Sequence, residues 1–397
     1  MAEHRGFRSQ IPTAELERRW AATRAAMARA GLDCLIAQNS NMFLGGYVRW
    51  LADTPAYNGY TVTVIFPADE GMTIISHGAK QAPGDPPLYS AASAGIQRRM
   101  TANYFRSVHY TDTYDAEQAI EALKPRRYKQ IGLVGRGSIS AAFADYLRAN
   151  LPGVEFVDSS DLVDRVMVPK SEWELARIRE TAALQDRALA HIVEWTAPGK
   201  TEHQMYAELW RIGYEWGTEA GLILIGSAPM GQANPLLSPT YYANRTFQAG
   251  DAIALLFEVN GPGGLYTELA RPLTIGTPTD ELLAASQDAV TAQQLTVAKL
   301  VPGAQCPDIV KAHNVWMVAH GWPAENRLYA HGQGYNLVER PLIREDEPMP
   351  IQEHMNITVH PFVANDRVFI NFTDNYIVTA TGAVHIHKTP SEIMVAR

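Results

Sequence analysis

The run Val168-Pro-Lys-Ser-Glu-Trp-Glu-Leu-Ala-Arg-Ile-Arg179 divides the chain. Ser171 followed three residues later by Glu174 is the signature of a capping box. Leu175, Ile178, Ala182, Leu189 and Ile192 then recur on one face, so the run announces a long amphipathic helix. A domain boundary is expected just before it, giving domains at 1–165 and 166–397. Upstream, Leu16, Trp20, Met27 and Ala30 form a helical stripe interrupted only by Thr23. The strand Cys34 to Ala37 follows, then a hairpin of Tyr60–Phe66 and Met72–Ser76 and a buried strand at Gln130–Val134, an α/β pattern. Gly132, Gly135 and Gly137 fit neither a dinucleotide nor a phosphate-loop spacing and read as a turn. Downstream, strands separated by Gly, Pro and Asn give way to helical patterns at 280–300 and 307–320, and strands return after Asn356. That half reads as α+β, with no short internal repeat.

A chain of 397 residues with 46% apolar content has material for two cores. Its 34 basic and 42 acidic residues give a net charge of -8 without runs of either sign, which argues against nucleic acid as a partner. Two cysteines, Cys34 and Cys306, are too few for a disulfide framework or thiolate cluster, so a cytoplasmic setting is expected. No apolar run approaches the roughly 20 residues of a membrane span, and the first ten residues lack the apolar core of a signal peptide.

The run at 168–179 is followed in order by Gly250-Asp251, Tyr266-Thr-Glu-Leu-Ala-Arg271, His331-Gly-Gln-Gly334 and Asp374-Asn-Tyr-Ile-Val-Thr379 before Gly382. Together these resemble the landmarks of the creatinase, prolidase and aminopeptidase P superfamily. The resemblance implies an α/β creatinase-like N-terminal domain followed by an α+β pita-bread catalytic domain. Metal-dependent members carry two hairpin aspartates, a histidine and two later glutamates. Here Leu256 falls at the first aspartate by count, Glu268 at the second, His331 at the histidine, and His360 and Thr373 at the glutamates. Two closely spaced dications need bridging carboxylates to offset their repulsion, so no metal cofactor is expected. A single ion held by Glu258, Glu268, His331 and His360 stands as the alternative.

Glu258, two residues past Leu256 and on the same strand face, resembles an extra acidic position of dimethylsulfoniopropionate lyases. The altered ligand set resembles creatinase and ectoine hydrolase. The expected function is therefore metal-independent, hydrolase-like cleavage of a C–N or related bond in a small non-peptide molecule. Glu268 would be nucleophile or base, His331 its proton partner, and Glu258 and His360 would share the pocket. A lyase and a non-catalytic binding module of the same fold are the alternatives. Proline-specific aminopeptidase activity is disfavoured, because Ser238–Arg245 holds no histidine and Val338 stands where a second is usual. Tyr266, Arg271, Tyr241 and Thr373 are expected to bind substrate, as are Arg49 and Trp50 in a loop that also holds Tyr57 and Tyr60. The resemblance also implies a homodimer in which one chain's first domain covers the other's pocket. His385 and His387 read as facing solvent or closing a turn, and Glu339 and Arg340 as members of local ion pairs.

Overall fold

The Ser171 hydroxyl accepts the Glu174 N–H at 3.3 Å while the Glu174 carboxylate accepts the Ser171 N–H at 2.8 Å. This reciprocal cap starts a 24-residue helix, Glu172–Trp195. In a computed structural model, which describes residues 11–55, 57–79, 94–233 and 244–396, two compact units meet just before it, between Met167 and Val168.

The first unit holds helices α1 (Thr13–Ala30), α2 (Gly46–Ala52), α3 (Tyr114–Leu123), α4 (Ala141–Asn150) and α5 (Ser160–Met167). Its strands are β1 (Cys34–Asn39), β2 (Val62–Pro67), β3 (Met72–His77), β4 (Ile96–Ala102), β5 (Gln130–Val134) and β6 (Glu155–Asp158). They form one mixed sheet in the order β4-β3-β2-β1-β5-β6, with the expected β2–β3 hairpin. Thr23 interrupts the α1 stripe with its hydroxyl satisfied, donating to the Arg19 carbonyl at 2.8 Å. Gly135 has φ +66°, and a Cβ there would meet the Tyr47 ring at 2.7 Å, so that glycine serves a structural turn.

Arg49 and Trp50 require a correction: they lie on α2, not in a loop. Trp50 is fully buried with the Arg19 guanidinium 5.6 Å from its ring centre, and Arg49 pairs with Asp53 at 3.4 Å. Both are committed to the core of this unit. Tyr57 and Tyr60 do stay exposed.

In the second unit the capped helix is α6, followed by α7 (Glu202–Glu215), β7 (Gly221–Pro229), β8 (Asp251–Asn260), β9 (Tyr266–Ile275), α8 (Asp280–Val297) and α9 (Cys306–Ala319). Strands β10 (Ala330–Gly332), β11 (Glu339–Leu342), β12 (Asn356–Val359), β13 (Phe362–Ala364), β14 (Phe369–Asn371), β15 (Asp374–Thr379), β16 (Gly382–His385) and β17 (Met394–Ala396) complete it. Two sheets carry the architecture, β17-β9-β8-β7 and β11-β10-β12-β15-β16, joined by a bridge between Ala270 and Thr373.

Alternation along β8 explains the layering. Ile253, Leu255, Phe257 and Val259 pack with Leu184, Ile192, Met205 and Leu209 of α6 and α7 into one core. Ala252, Ala254, Leu256 and Glu258 therefore face the other way, Ala252 against the cluster of α8, β13 and β14. That second sheet buries its own cluster, including Ile357, Val359, Tyr376 and Val378, against α9 and the segment around Met349.

Candidate active site

Between these sheets lie four buried ionisable side chains: Glu258, Glu268, His331 and His360. In the β8–β9 hairpin Glu258 is paired directly with Glu268, whereas Leu256 faces Ala270. Position 256 itself therefore brings no carboxylate to the hairpin. The buried carboxylate facing Glu268 is that of Glu258, two residues further along.

His331 sits on β10 opposite Thr358 of β12. Its Nδ1 lies 2.9 Å from the Gly332 carbonyl; a carbonyl only accepts, so Nδ1 carries the proton and Nε2 is left with a bare lone pair. Nε2 lies 4.0 Å from Glu268 Oε2. The His360 ring stands 5.2 Å from the His331 ring at 70°, and its buried Nε2 has no hydrogen-bond partner among the described residues. The Thr358 hydroxyl donates to Glu268 Oε2 at 3.2 Å.

The glycines of His331-Gly-Gln-Gly334 act through close approach rather than through unusual backbone angles. A Cβ on Gly332 would lie 2.2 Å from the Arg340 carbonyl oxygen, and one on Gly334 would lie 2.4 Å from a Glu339 oxygen. Glu339 itself forms a buried ion pair with Lys170 at 2.6 Å, 169 residues away, so it is not part of a local pair. Arg340 does pair locally, with Glu347.

Burial raises the Glu268 carboxyl to about 8, against the pull of the Thr358 hydroxyl and the Arg327 charge. Burial and then the facing Glu268 push Glu258 well above the usual carboxylate range, opposed by Gln333. Burial lowers His331 to about 4, and burial, then its neighbour His331, holds His360 well below the usual imidazole range. Two neutral imidazoles and a carboxyl group thus converge, with ligand atoms of Glu268, His331 and His360 all within 4.8 Å of one another. Bonds of about 2.1 Å around one tetrahedral ion place ligand atoms roughly 3.4 Å apart, so binding would draw these atoms together. The donor set and the orphaned His360 nitrogen fit one divalent cation. They do not fit two, because Thr373 and Leu256 bring no bridging oxygen anion.

Sequence reasoning missed the amides around these groups. Gln333 Nε2 donates to Glu258 Oε1 at 2.5 Å, Gln333 Oε1 accepts from Asn375 Nδ2 at 2.8 Å, and Asn375 Oδ1 accepts the Glu268 N–H at 2.7 Å. Gln333 was in plain view beside His331, but only folding brings Asn375 to it.

The expected substrate-binding residues divide differently. Arg271 is fully buried and spends its guanidinium on the carbonyls of Ala270, Thr373, Thr389 and Pro390 and on Asp374, which leaves it no edge for a ligand. Tyr266 is fully buried as well. Thr373 is buried at the inter-sheet bridge with its hydroxyl unpartnered among the described residues. Tyr241 lies outside the described residues.

A second convergence, Asp374 with His385 and His387, is already neutralised. Asp374 accepts from Arg271 at 2.7 Å and pairs with His385 at 2.8 Å; burial would raise it, but that guanidinium and the two imidazoles hold it well below the usual range. His387 is buried rather than solvent-facing, 2.9 Å from Gln185 Oε1.

Residues 176–380, just over half of the chain, match the model of metallopeptidase family M24. The chain belongs to that family. Residues 19–166 match the creatinase/prolidase N-terminal domain, so a creatinase-type N-terminal domain is followed by a pita-bread catalytic domain, as in the creatinase, prolidase and aminopeptidase P superfamily. Among M24-type relatives, a probable dipeptidase PepE of Mycobacterium tuberculosis is 27% identical over 252 residues, covering 62% of this chain and 66%, just under two thirds, of the relative. An Xaa-Pro dipeptidase of Pyrococcus horikoshii is 21% identical over 67% of this chain and 75% of its own. The solved dipeptidase PepE of Mycobacterium ulcerans superposes with a TM-score of 0.76 at 22% identity, covering 98% of this chain and all of that one.

These findings overturn the expectation of a metal-independent hydrolase or lyase acting on a non-peptide molecule. The matching family is a metallopeptidase family and the relatives are named as dipeptidases. The exclusion of proline-specific peptidase activity falls with it. It rested on histidines missing at two positions, most of one stretch lies outside the described residues, and Xaa-Pro dipeptidases are among the relatives. Among the described residues no helix is long and apolar enough to cross a membrane.

Proposed function

We propose that this chain is a dipeptidase-type hydrolase of short peptides that works with one divalent cation held by Glu268, His331 and His360. The observation that carries the reading is the convergence of those three ligand atoms, with the His360 nitrogen buried and unpartnered. A bound cation would polarise the scissile carbonyl and make water a competent nucleophile near neutral pH. Glu258 lies outside the trio and is the carboxylate left for proton transfer. It takes a proton from the attacking water as the new C–O bond forms, and gives it to the nitrogen as the C–N bond breaks. Thr358 orients Glu268 through its hydroxyl, and the Gly332 carbonyl fixes the His331 tautomer. We also propose that the working form is a homodimer, on the strength of the resemblance alone.

The test is a panel of dipeptides, with and without proline in the second position, offered to the purified chain with manganese, zinc or a chelator. Hydrolysis abolished by chelation and restored by one divalent ion is expected. Failure to hydrolyse any dipeptide with any of these ions overturns the proposal.

A further inference from the structure

We infer that Gln333 is a positioning residue that holds Glu258 apart from the Glu268, His331 and His360 trio. The inference rests on the single-cation reading of the site. Glu258 and Glu268 face each other across one rung of an antiparallel pair, where Cβ atoms stand about 4.5–5.5 Å apart. With nothing else acting, a carboxylate in that place would swing toward a cation bound by its neighbour and become a fourth ligand. Gln333 competes for it: Nε2 donates to Glu258 Oε1 at 2.5 Å and also lies 3.2 Å from the Leu337 carbonyl.

The amide's orientation is itself determined. Its Oε1 accepts from Asn375 Nδ2, and Asn375 in turn donates to Asn356 Oδ1 and accepts the Glu268 N–H. Asn356 donates to the Gln333 carbonyl at 3.2 Å, which closes the loop. Gln333, Asn356 and Asn375 are all buried, so every member is held by the others and the donor end of Gln333 is turned to Glu258 and the Leu337 carbonyl. The same network fixes the backbone of Glu268, and so sets the two carboxylates relative to each other. Keeping Glu258 out of the ligand set leaves it a carboxylate able to accept a proton, which a ligated oxygen does poorly.

The test is a double-mutant cycle read as zinc affinity, by competition with a chromophoric chelator on the full chain. Gln333→Met keeps the length of the side chain and removes both hydrogen-bonding ends. It is expected to tighten zinc binding about tenfold or more, the scale of effects exerted through a ligand's hydrogen-bonded neighbours, by freeing Glu258 to ligate. In a Glu258→Gln background the same replacement should change affinity less than about twofold. A merely structural role would alter both backgrounds equally, and that result, or an unchanged affinity in the single variant, overturns the inference. Gln333→Glu is the second variant: it keeps the shape but repels Glu258, so it too should tighten binding only while Glu258 is present, and loosened binding would overturn the inference. If wild type takes up no zinc, the single-cation reading fails first. The inference on Gln333 then fails if Gln333→Met leaves turnover of the true substrate within twofold of wild type.

Discussion

Glu258 of β8 and Glu268 of β9 occupy one rung of the hairpin, directly opposite each other, with both side chains buried. Like charges so placed repel, and in a buried site they ionise together only when a cation is brought between or beside them. The two nevertheless have different surroundings. Glu268 is near a threonine hydroxyl and two imidazoles, and Glu258 is bound to an amide. Their replacement should therefore have different consequences.

Glu268→Gln keeps size and removes the anionic ligand. Zinc or manganese content after dialysis is expected to fall, with affinity reduced at least tenfold and turnover of a dipeptide reduced on the order of a thousandfold. Elemental analysis and kcat measured on the same preparation check this. Normal metal content in the variant would remove Glu268 from the ligand set.

Glu258→Gln should instead keep the metal. A loss of about 10²–10⁴ in kcat is expected for removal of a proton-transfer carboxylate, with KM changed much less. Equal loss of metal content and turnover would make Glu258 a ligand rather than the base.

Stability of the cation-free chain should depend on pH through Glu268. Its folded carboxyl is raised from 4.5 to about 8, so the folded state keeps a proton that the unfolded state releases. That contribution is full below about pH 4.5 and is lost as pH rises toward 8. His331, lowered to about 4, has the opposite sign, and its contribution is lost as pH falls from about 6.5 to about 4. Above pH 6.5 the glutamate therefore acts without that opposition. Urea unfolding in chelator is expected to show wild type losing more stability than Glu268→Gln as pH rises from 6.5 to 8. Parallel curves for the two proteins would show that Glu268 is ionised in the folded state without a cation.

Lys170 and Glu339 form a buried pair that ties the start of the second unit to the strand following the His331 segment. Lys170→Met leaves Glu339 buried without its cation and should cost about 3–5 kcal/mol. Adding Glu339→Gln should recover part of that loss. Denaturant midpoints of the single and double variants decide it; a single variant within 1 kcal/mol of wild type would show the pair to be dispensable.

Local signals in the sequence determined much of this protein. The Ser171–Glu174 cap marked the domain junction because a capping box is a contact between residues three apart. Alternation along residues 252–259 separated an apolar face from the face bearing Glu258, because strand side chains repeat every second residue. Glu258, Glu268, His331 and His360 were legible as candidates because charges and imidazoles within apolar strands need a reason to be there. Register was beyond that kind of reading. Counting from Gly250-Asp251 put Leu256 at a ligand position and a carboxylate out of place, whereas hairpin pairing, set by the turn at 261–265, aligns Glu258 with Glu268. The fates of Arg271 and Trp50 were equally hidden, since an arginine or a tryptophan carries the same chemistry whether it faces a ligand or carbonyls 118 and 119 residues away. Only the tertiary structure decided that Gln333 meets Glu258 and Asn375 across 75 and 42 residues. Hydrogen bonds between strands distant in sequence leave no periodicity behind them, so they are visible only once the sheets have packed.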